Sequence, residues 1–197
     1  MNKFIWQLII PLLIIWQGCH DHTTQKYIQL IKQWENKEII FPEKLETKIY
    51  GKNISFVSTS HKYKILNYVD TNSCTNCRLK LHAWELLYKE INTLQLDVEI
   101  IFMVFAKEYQ TLENIQKNNH YNYPIVYDRD GNMEKLNHFP TLPNCQTFLL
   151  DSQNRVILIG NPIGNPSIWE LYKEKNKILN FTTIAFIYLI IKPYYSD

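Results

Sequence analysis

The run VEIIFMVF at residues 98–105 is almost unbroken in its apolarity, which predicts a strand covered on both faces. Residues 65–69 read as a strand ending in the polar stretch Asp70-Thr71-Asn72-Ser73. Over residues 77–93, Arg78, His82, Glu85 and Lys89 recur at steps of four, three and four, giving one solvated stripe. Leu79, Leu81, Ala83, Trp84, Leu86, Leu87, Tyr88 and Ile91 fill the wide remainder, so the segment predicts a helix packed on a sheet. Residues 107–118 predict a second helix and residues 123–127 a short strand, closed by the turn Asp128-Arg129-Asp130-Gly131. Residues 132–138 suit one or two helical turns. Residues 146–150 and 155–159 flank Asp151-Ser152-Gln153-Asn154 as a hairpin, and Ser167-x-x-Glu170 is a capping box that starts a last helix to about residue 179.

Strand, helix, strand, helix, hairpin and closing helix together demand an α/β fold with a mixed sheet and helices on both faces. No internal repeat interrupts this order. Residues 61–180 therefore form the main domain, and residues 20–60 are a tether and N-terminal extension. Within the extension, residues 20–25 are polar, residues 27–34 suit a brief amphipathic helix, and residues 38–42 and 49–57 suit short strands around Gly51-Lys52-Asn53. The extension is too short to be stable alone and is expected to pack on the domain. Residues 181–197 form an apolar C-terminal tail whose run at 181–191 is too short to cross a membrane.

Charge changes the picture only by exclusion. The 21 basic and 19 acidic residues nearly balance at +2, and no basic run or recognition motif is present, so nucleic acid is not an expected partner. The first residues matter more. Lys3 precedes an apolar stretch at residues 4–16, broken only by Gln7 and Pro11, which is short for a spanning helix and reads as the core of an export signal. Gly18-Cys19 follows and resembles the end of a bacterial lipobox, although Trp16 stands where an aliphatic residue is usual. That resemblance implies a lipoprotein-type signal peptide over residues 1–19 and lipidation of Cys19. The chain would then face the periplasm or the surface of a bacterial envelope. An ordinary signal peptide or an uncleaved anchor is the alternative. Export permits disulfides, and Cys74, Cys77 and Cys145 remain to make one pair and one spare thiol.

Cys74-Thr75-Asn76-Cys77 falls where the first predicted strand hands over to a helix. The first turn of a helix presents free N–H groups and partial positive charge, which stabilise a thiolate, the attacking species in disulfide exchange. Spacing of three brings Cys77 one turn from Cys74, close enough to resolve a mixed disulfide. Cys74 is thus the candidate nucleophile and Cys77 the resolving thiol. A structural disulfide is the plainer alternative, and a zinc site would need two further ligands without a second Cys-x-x-Cys to supply them. No Gly-rich phosphate loop appears, and Asp128 with Asp130 reads as ordinary turn chemistry. Residues 160–166, rich in turn formers, read as a structured connection from the hairpin to the last helix.

The strand–CTNC–helix unit, VEIIFMVF, and Gln146-Thr147-Phe148-Leu149-Leu150-Asp151 with its hairpin resemble the thioredoxin family. The closest resemblance is to envelope-tethered TlpA-like thioredoxins and thioredoxin-like lipoproteins. It extends over roughly three fifths of the chain. It implies a thioredoxin-like fold with a mixed central sheet of four to five strands. It also implies cofactor-free thiol–disulfide exchange on exported thiol- or disulfide-containing proteins, fed by a membrane or periplasmic electron donor.

The chain departs from the family pattern at three places. Ser73 replaces an aromatic residue before the first cysteine, and Tyr68 stands where a buried carboxylate is usual, with Asp70 the nearest acid. Aligning Thr147-Phe148 on the family's Thr-Phe pair puts Cys145 in the place of a cis-proline, which Pro143 fills only if the loop shifts by two residues. Cys145 and Gln146 are thus candidates for substrate docking. Cys145 is alternatively a small buried apolar residue, or a third thiol able to exchange disulfides or to complete a metal site with His61, His82 or His138. Two other functions remain beside the oxidoreductase: a redox-inactive binding or scaffold lipoprotein, and a thiolate metal binder.

Overall fold

A computed structural model of the chain describes residues 21–55, 61–70 and 79–177. In chain order its elements are α1 (Asp21–Trp34), β1 (Glu46–Ile49), β2 (Lys52–Ile54), β3 (Tyr63–Asp70), α2 (Leu81–Thr93), β4 (Val98–Phe105), α3 (Tyr109–Asn118), β5 (Ile125–Tyr127), α4 (Asn132–Asn137), β6 (Thr147–Leu150), β7 (Val156–Ile159) and α5 (Pro166–Lys177). A 3-10 turn, Pro143–Cys145, precedes β6.

The strands lie in one sheet in the order β2-β1-β5-β4-β3-β6-β7. At its centre β3 and β4 run parallel over eight paired positions, Tyr63 with Val98 through Asp70 with Phe105. β5 continues the parallel set, while β6 runs antiparallel to β3 and β7 antiparallel to β6. This is the thioredoxin-like mixed sheet. The main domain contributes five strands, but the sheet has seven, because β1 and β2 join the free edge of β5 with Thr47 opposite Val126. Strands of three and four residues have too little alternation to announce their partner. Their turn, Tyr50-Gly51, has φ of 53° and 80°, the doubly positive pattern of a type I′ hairpin, and lies slightly earlier than the Gly51-Lys52-Asn53 turn expected.

The opposite edge is covered too. Residues 38–42 form no strand beyond a bridge of Glu38 with Arg155. Instead, Asn36 and Ile39 donate backbone N–H bonds to Val156 and Asn154, and Val156 donates to Lys37. The extension thus protects both outer strands of the core.

One face of the sheet carries an aromatic cluster that holds the extension down. Trp34 of α1 packs on Phe148 and Phe139 at ring-centroid separations of 5.1 and 5.9 Å, and Phe139 reaches Tyr68 at 4.8 Å. On the other face Trp84 of α2 stands edge-on to Phe102 of β4, and α5 is tied to α2 by a hydrogen bond from Trp169 Nε1 to Glu90 Oε1 at 2.7 Å. Arg129 clamps the β5 end to β1, with its Nε 2.8 Å from Glu46 Oε2 and its guanidinium 4.6 Å from the Tyr109 ring centre.

Two helix starts differ from expectation. A continuous helix was expected from residue 77, yet Lys80 is left-handed (φ 44°, ψ 40°) and separates helical Leu79 from α2. A non-glycine residue in that region costs about 1 kcal/mol. Leu86, expected on the buried side, is 53% exposed, while Leu81, Trp84, Leu87 and Ile91 are buried as expected. At α5 the cap is Asn165 rather than Ser167: Asn165 Oδ1 accepts the Ile168 N–H at 3.2 Å, and Pro166 takes the first helical position.

Candidate functional site

Cys74 and Cys77 lie outside the described residues, as does Cys19. What is described is the frame around the pair, with the C-terminal end of β3 before it and Leu79, Lys80 and α2 after it. Cys145 and Gln146 lie on the loop entering β6. Cys145 ends the 3-10 turn, its N–H bonded to the Leu142 carbonyl at 2.9 Å. Gln146 Nε2 donates to the Pro140 carbonyl at 2.9 Å, and its own carbonyl accepts the Tyr68 N–H at 3.0 Å. Thr147 Oγ1 completes the seam by donating to Asn67 Oδ1 at 2.8 Å. The turn is therefore sewn to β3 three residues before that strand ends.

Cys145 is 4% exposed, and burial pushes its thiol up to about 11. At neutral pH it is a protonated, small apolar group rather than a nucleophile or a ready metal ligand. The three histidines are dispersed. His61 pairs with Asp97 at 2.8 Å at the N-terminal ends of β3 and β4. His82 is exposed near Glu85, and His138 caps the C-terminus of α4. Among the described residues no group of three or more potential ligands is arranged to hold a metal ion.

The acid nearest the Tyr68 hydroxyl is one that sequence reasoning passed over. Tyr68 Oη donates to Asp128 Oδ2 at 3.4 Å, a long contact, within a buried setting. Asp128 also accepts the backbone N–H groups of Asn132 and Met133 at 2.8 and 3.1 Å, which fixes the start of α4. Burial raises the Asp128 carboxyl above the ordinary carboxylate range, against the pull of those hydrogen bonds. Tyr68 is raised as well, by burial first and then by the charges of Asp128, Asp70 and Glu134. The turn reading of Asp128-Arg129-Asp130-Gly131 was sound. Its only hint of more was an acid placed just before a short helix.

Beside Cys145 opens a cleft of about 240 Å³. Tyr27, Leu30 and Ile31 of α1 form one wall, Lys80 and Asn144 lie along it, and the loop from Ile159 to Ile168 forms the other wall. Residues 160–166 do connect β7 to α5, as expected, and they are closely held. The Gly160 N–H bonds to the Thr147 carbonyl at 2.9 Å and the Gly160 carbonyl accepts Tyr172 Oη at 2.8 Å. Gly160 has φ of 138°, and a Cβ there would stand 3.3 Å from Ile168 Cδ1, so the position suits glycine alone.

Fold and site frame define a thioredoxin-like α/β protein. Within that class the chain belongs to the AhpC/TSA family, whose model matches residues 40–159 and so takes in the β1–β2 hairpin as well as the core. Several solved structures are similar to the chain. A putative thiol-disulfide oxidoreductase from Bacteroides vulgatus superposes with a TM-score of 0.52 at 18% identity, covering 69% of this chain and 89% of its own. StoA from Bacillus subtilis gives 0.49 at 23% identity, covering 69% and 97%. The bacterioferritin comigratory protein of Xanthomonas campestris, described for alkyl peroxide reduction, gives 0.50 at 12% identity, covering 67% and 90%. No curated protein matches the chain. Among the described residues no helix is long and apolar enough to cross a membrane.

Proposed function

We propose that the chain is a thiol–disulfide oxidoreductase that works through Cys74 and Cys77 at a bacterial envelope, held there by lipid on Cys19. The observation that carries this reading is a Cys-x-x-Cys in the eight residues between β3 and Leu79, in a chain of the AhpC/TSA family. The Cys74 thiolate attacks one sulfur of a substrate disulfide, forming a mixed disulfide and expelling the other substrate sulfur as thiolate. Cys77, deprotonated, then attacks Cys74 and releases the second substrate thiol. The chain is left with a Cys74–Cys77 disulfide, the substrate with two thiols. A dithiol donor at the membrane or in the periplasm returns the pair to its reduced form, and run backwards the same steps oxidise a substrate dithiol. Exported proteins bearing thiols or disulfides are the partners this chemistry requires.

The test is a redox titration of the chain carrying Cys19→Ser, with each thiol labelled separately. A reversible couple between about −120 and −270 mV, with Cys74 labelling fastest, supports exchange. A disulfide that resists reduction below about −300 mV overturns it. That second outcome supports the alternative, a scaffold or binding module that keeps the pair as a structural disulfide. Ser73, Tyr68 and Cys145, which stand where the thioredoxin pattern differs, are what favour it.

A further inference from the structure

We infer that the end of the sheet at which β3 terminates and β6 begins faces the bilayer, so that exchange is confined to partners whose cysteines lie at the membrane surface. This rests on the lipid anchor and the oxidoreductase reading, and it names the class of partner they can meet. The direction of α1 carries it. Just past the C-terminal end of α1, Asn36 donates its N–H to the carbonyl of Val156, at the start of β7. Further back along the helix, Tyr27, Leu30 and Ile31 share a cleft with Ile159 and Gly160, at the end of β7. α1 therefore lies antiparallel to β7, with its N-terminus beyond Ile159.

Strand register turns that direction into an end of the sheet. Ile159 is opposite Phe148 and Val156 opposite Leu150. Phe148 is in turn opposite Leu66, and Leu150 opposite Lys64. The N-terminus of α1 thus points the way β3 runs, toward Asp70. Lys80 lines the same cleft as Tyr27, so the described residues on both sides of the Cys-x-x-Cys stand at this end. The stalk to the anchor is short. Tyr27 packs against the core, and helical residues 21–26 before it add about 9 Å. Cys19 precedes Asp21 by two residues, which adds about 7 Å at full extension. The eight residues of β3 span about 25 Å. A stalk shorter than the sheet is long keeps the β3 terminus nearest the lipid and holds the Asp151–Asn154 turn away from it.

The test uses the full lipidated chain, purified from bacterial membranes and placed in vesicles of phosphatidylethanolamine and phosphatidylglycerol containing a headgroup-labelled energy acceptor. With Cys74→Ser and Cys77→Ser in the background, a donor fluorophore is attached through Leu142→Cys or through Ser152→Cys. Both positions are exposed, Leu142 beside the cleft through its bond to Cys145 and Ser152 in the far turn. Energy transfer should be about twofold or more stronger from the Leu142→Cys label. A flexible Gly-Ser insert of about ten residues between His20 and Asp21 should bring the two values together. Equal transfer from both labels without the insert, or stronger transfer from Ser152→Cys, overturns the orientation. A chain recovered without acyl mass on Cys19 overturns the anchor, and the orientation with it. For the partner class, the chain with its cysteines intact should reduce a disulfide attached directly to a lipid headgroup about threefold faster without the insert than with it. Equal rates overturn the confinement to surface cysteines. Failure to reduce both that lipid and soluble hydroxyethyl disulfide sinks the oxidoreductase reading instead, while the energy transfer still decides the orientation.

Discussion

The Asn137 carboxamide pairs with the backbone of Ile40 in both directions, its Oδ1 accepting the N–H and its Nδ2 donating to the carbonyl, each at 2.8 Å. A side chain at the end of α4 thus imitates a neighbouring strand and fastens the extension to the domain. Lys37 reinforces the contact by donating Nζ to the Asn137 carbonyl at 2.8 Å. Replacing Asn137, which is 1% exposed, with Ala should cost about 2 kcal/mol in urea unfolding. Asn137→Asp should cost at least as much, because a carboxylate keeps the acceptor and loses the donor. A variant as stable as the parent would show that the extension's other contacts hold it without this pairing.

Tyr50 offers a change in the opposite direction. It occupies the left-handed region in the I′ turn, and its N–H is bonded to Gln116 Oε1 at 2.9 Å. Asn adopts this conformation more easily than Tyr and keeps the N–H. Tyr50→Asn should stabilise the chain by about 0.5–1 kcal/mol, seen as a rise in Tm of a few degrees. Gln116→Ala should lower Tm, since Gln116 also donates Nε2 to the Tyr123 carbonyl at 2.9 Å.

Cys145 should be nearly silent toward alkylation in the folded protein. With its thiol pushed up to about 11, the thiolate fraction near pH 7.5 is roughly two orders of magnitude below that of an exposed cysteine. Iodoacetamide labelling followed by mass spectrometry should find Cys145 modified only after denaturation or at strongly alkaline pH. Fast labelling at neutral pH would restore the third-thiol reading.

Asp128 sets a pH signature. Its folded carboxyl is raised by burial, so above the ordinary carboxylate value near pH 4 the unfolded chain has released a proton that the folded protein still holds. Stability contributed by this group is therefore full at low pH and falls as pH rises through the raised value. The difference in unfolding free energy between parent and Asp128→Asn should therefore decline as pH rises above the ordinary carboxylate value near 4. A flat difference would mean that Asp128 titrates as it does in solution.

Local patterns were the legible ones. The apolar run of β4 and the Asp151–Asn154 hairpin follow from short-range chemistry. In that hairpin Asp151 Oδ1 accepts the N–H groups of Gln153 and Arg155, both at 2.8 Å. The cysteine pair was readable as a motif for the same reason. What escaped the sequence was decided by competition or by distance. Asn165 outcompetes Ser167 as the α5 cap because Pro166, lacking an N–H, suits the first helical position. β1 and β2 acquire their place from β5, and Asp128 acquires its environment from Tyr68, sixty residues away in the chain. No pattern near either residue encodes the encounter.

The doubly covered sheet also bears on the order in which the protein can form. Ile40 finds its partner 97 residues downstream and Tyr50 finds its own 66 residues downstream. Pairings of that span carry a loop-closure cost before they return any stability, and they slow folding. Synthesis delivers residues 21–55 early, yet β5, α4 and β7 must exist before those residues have anything to hold. The extension therefore waits on the rest of the domain, and a ribosome has already made β5, α4 and β7 before this earlier segment can settle.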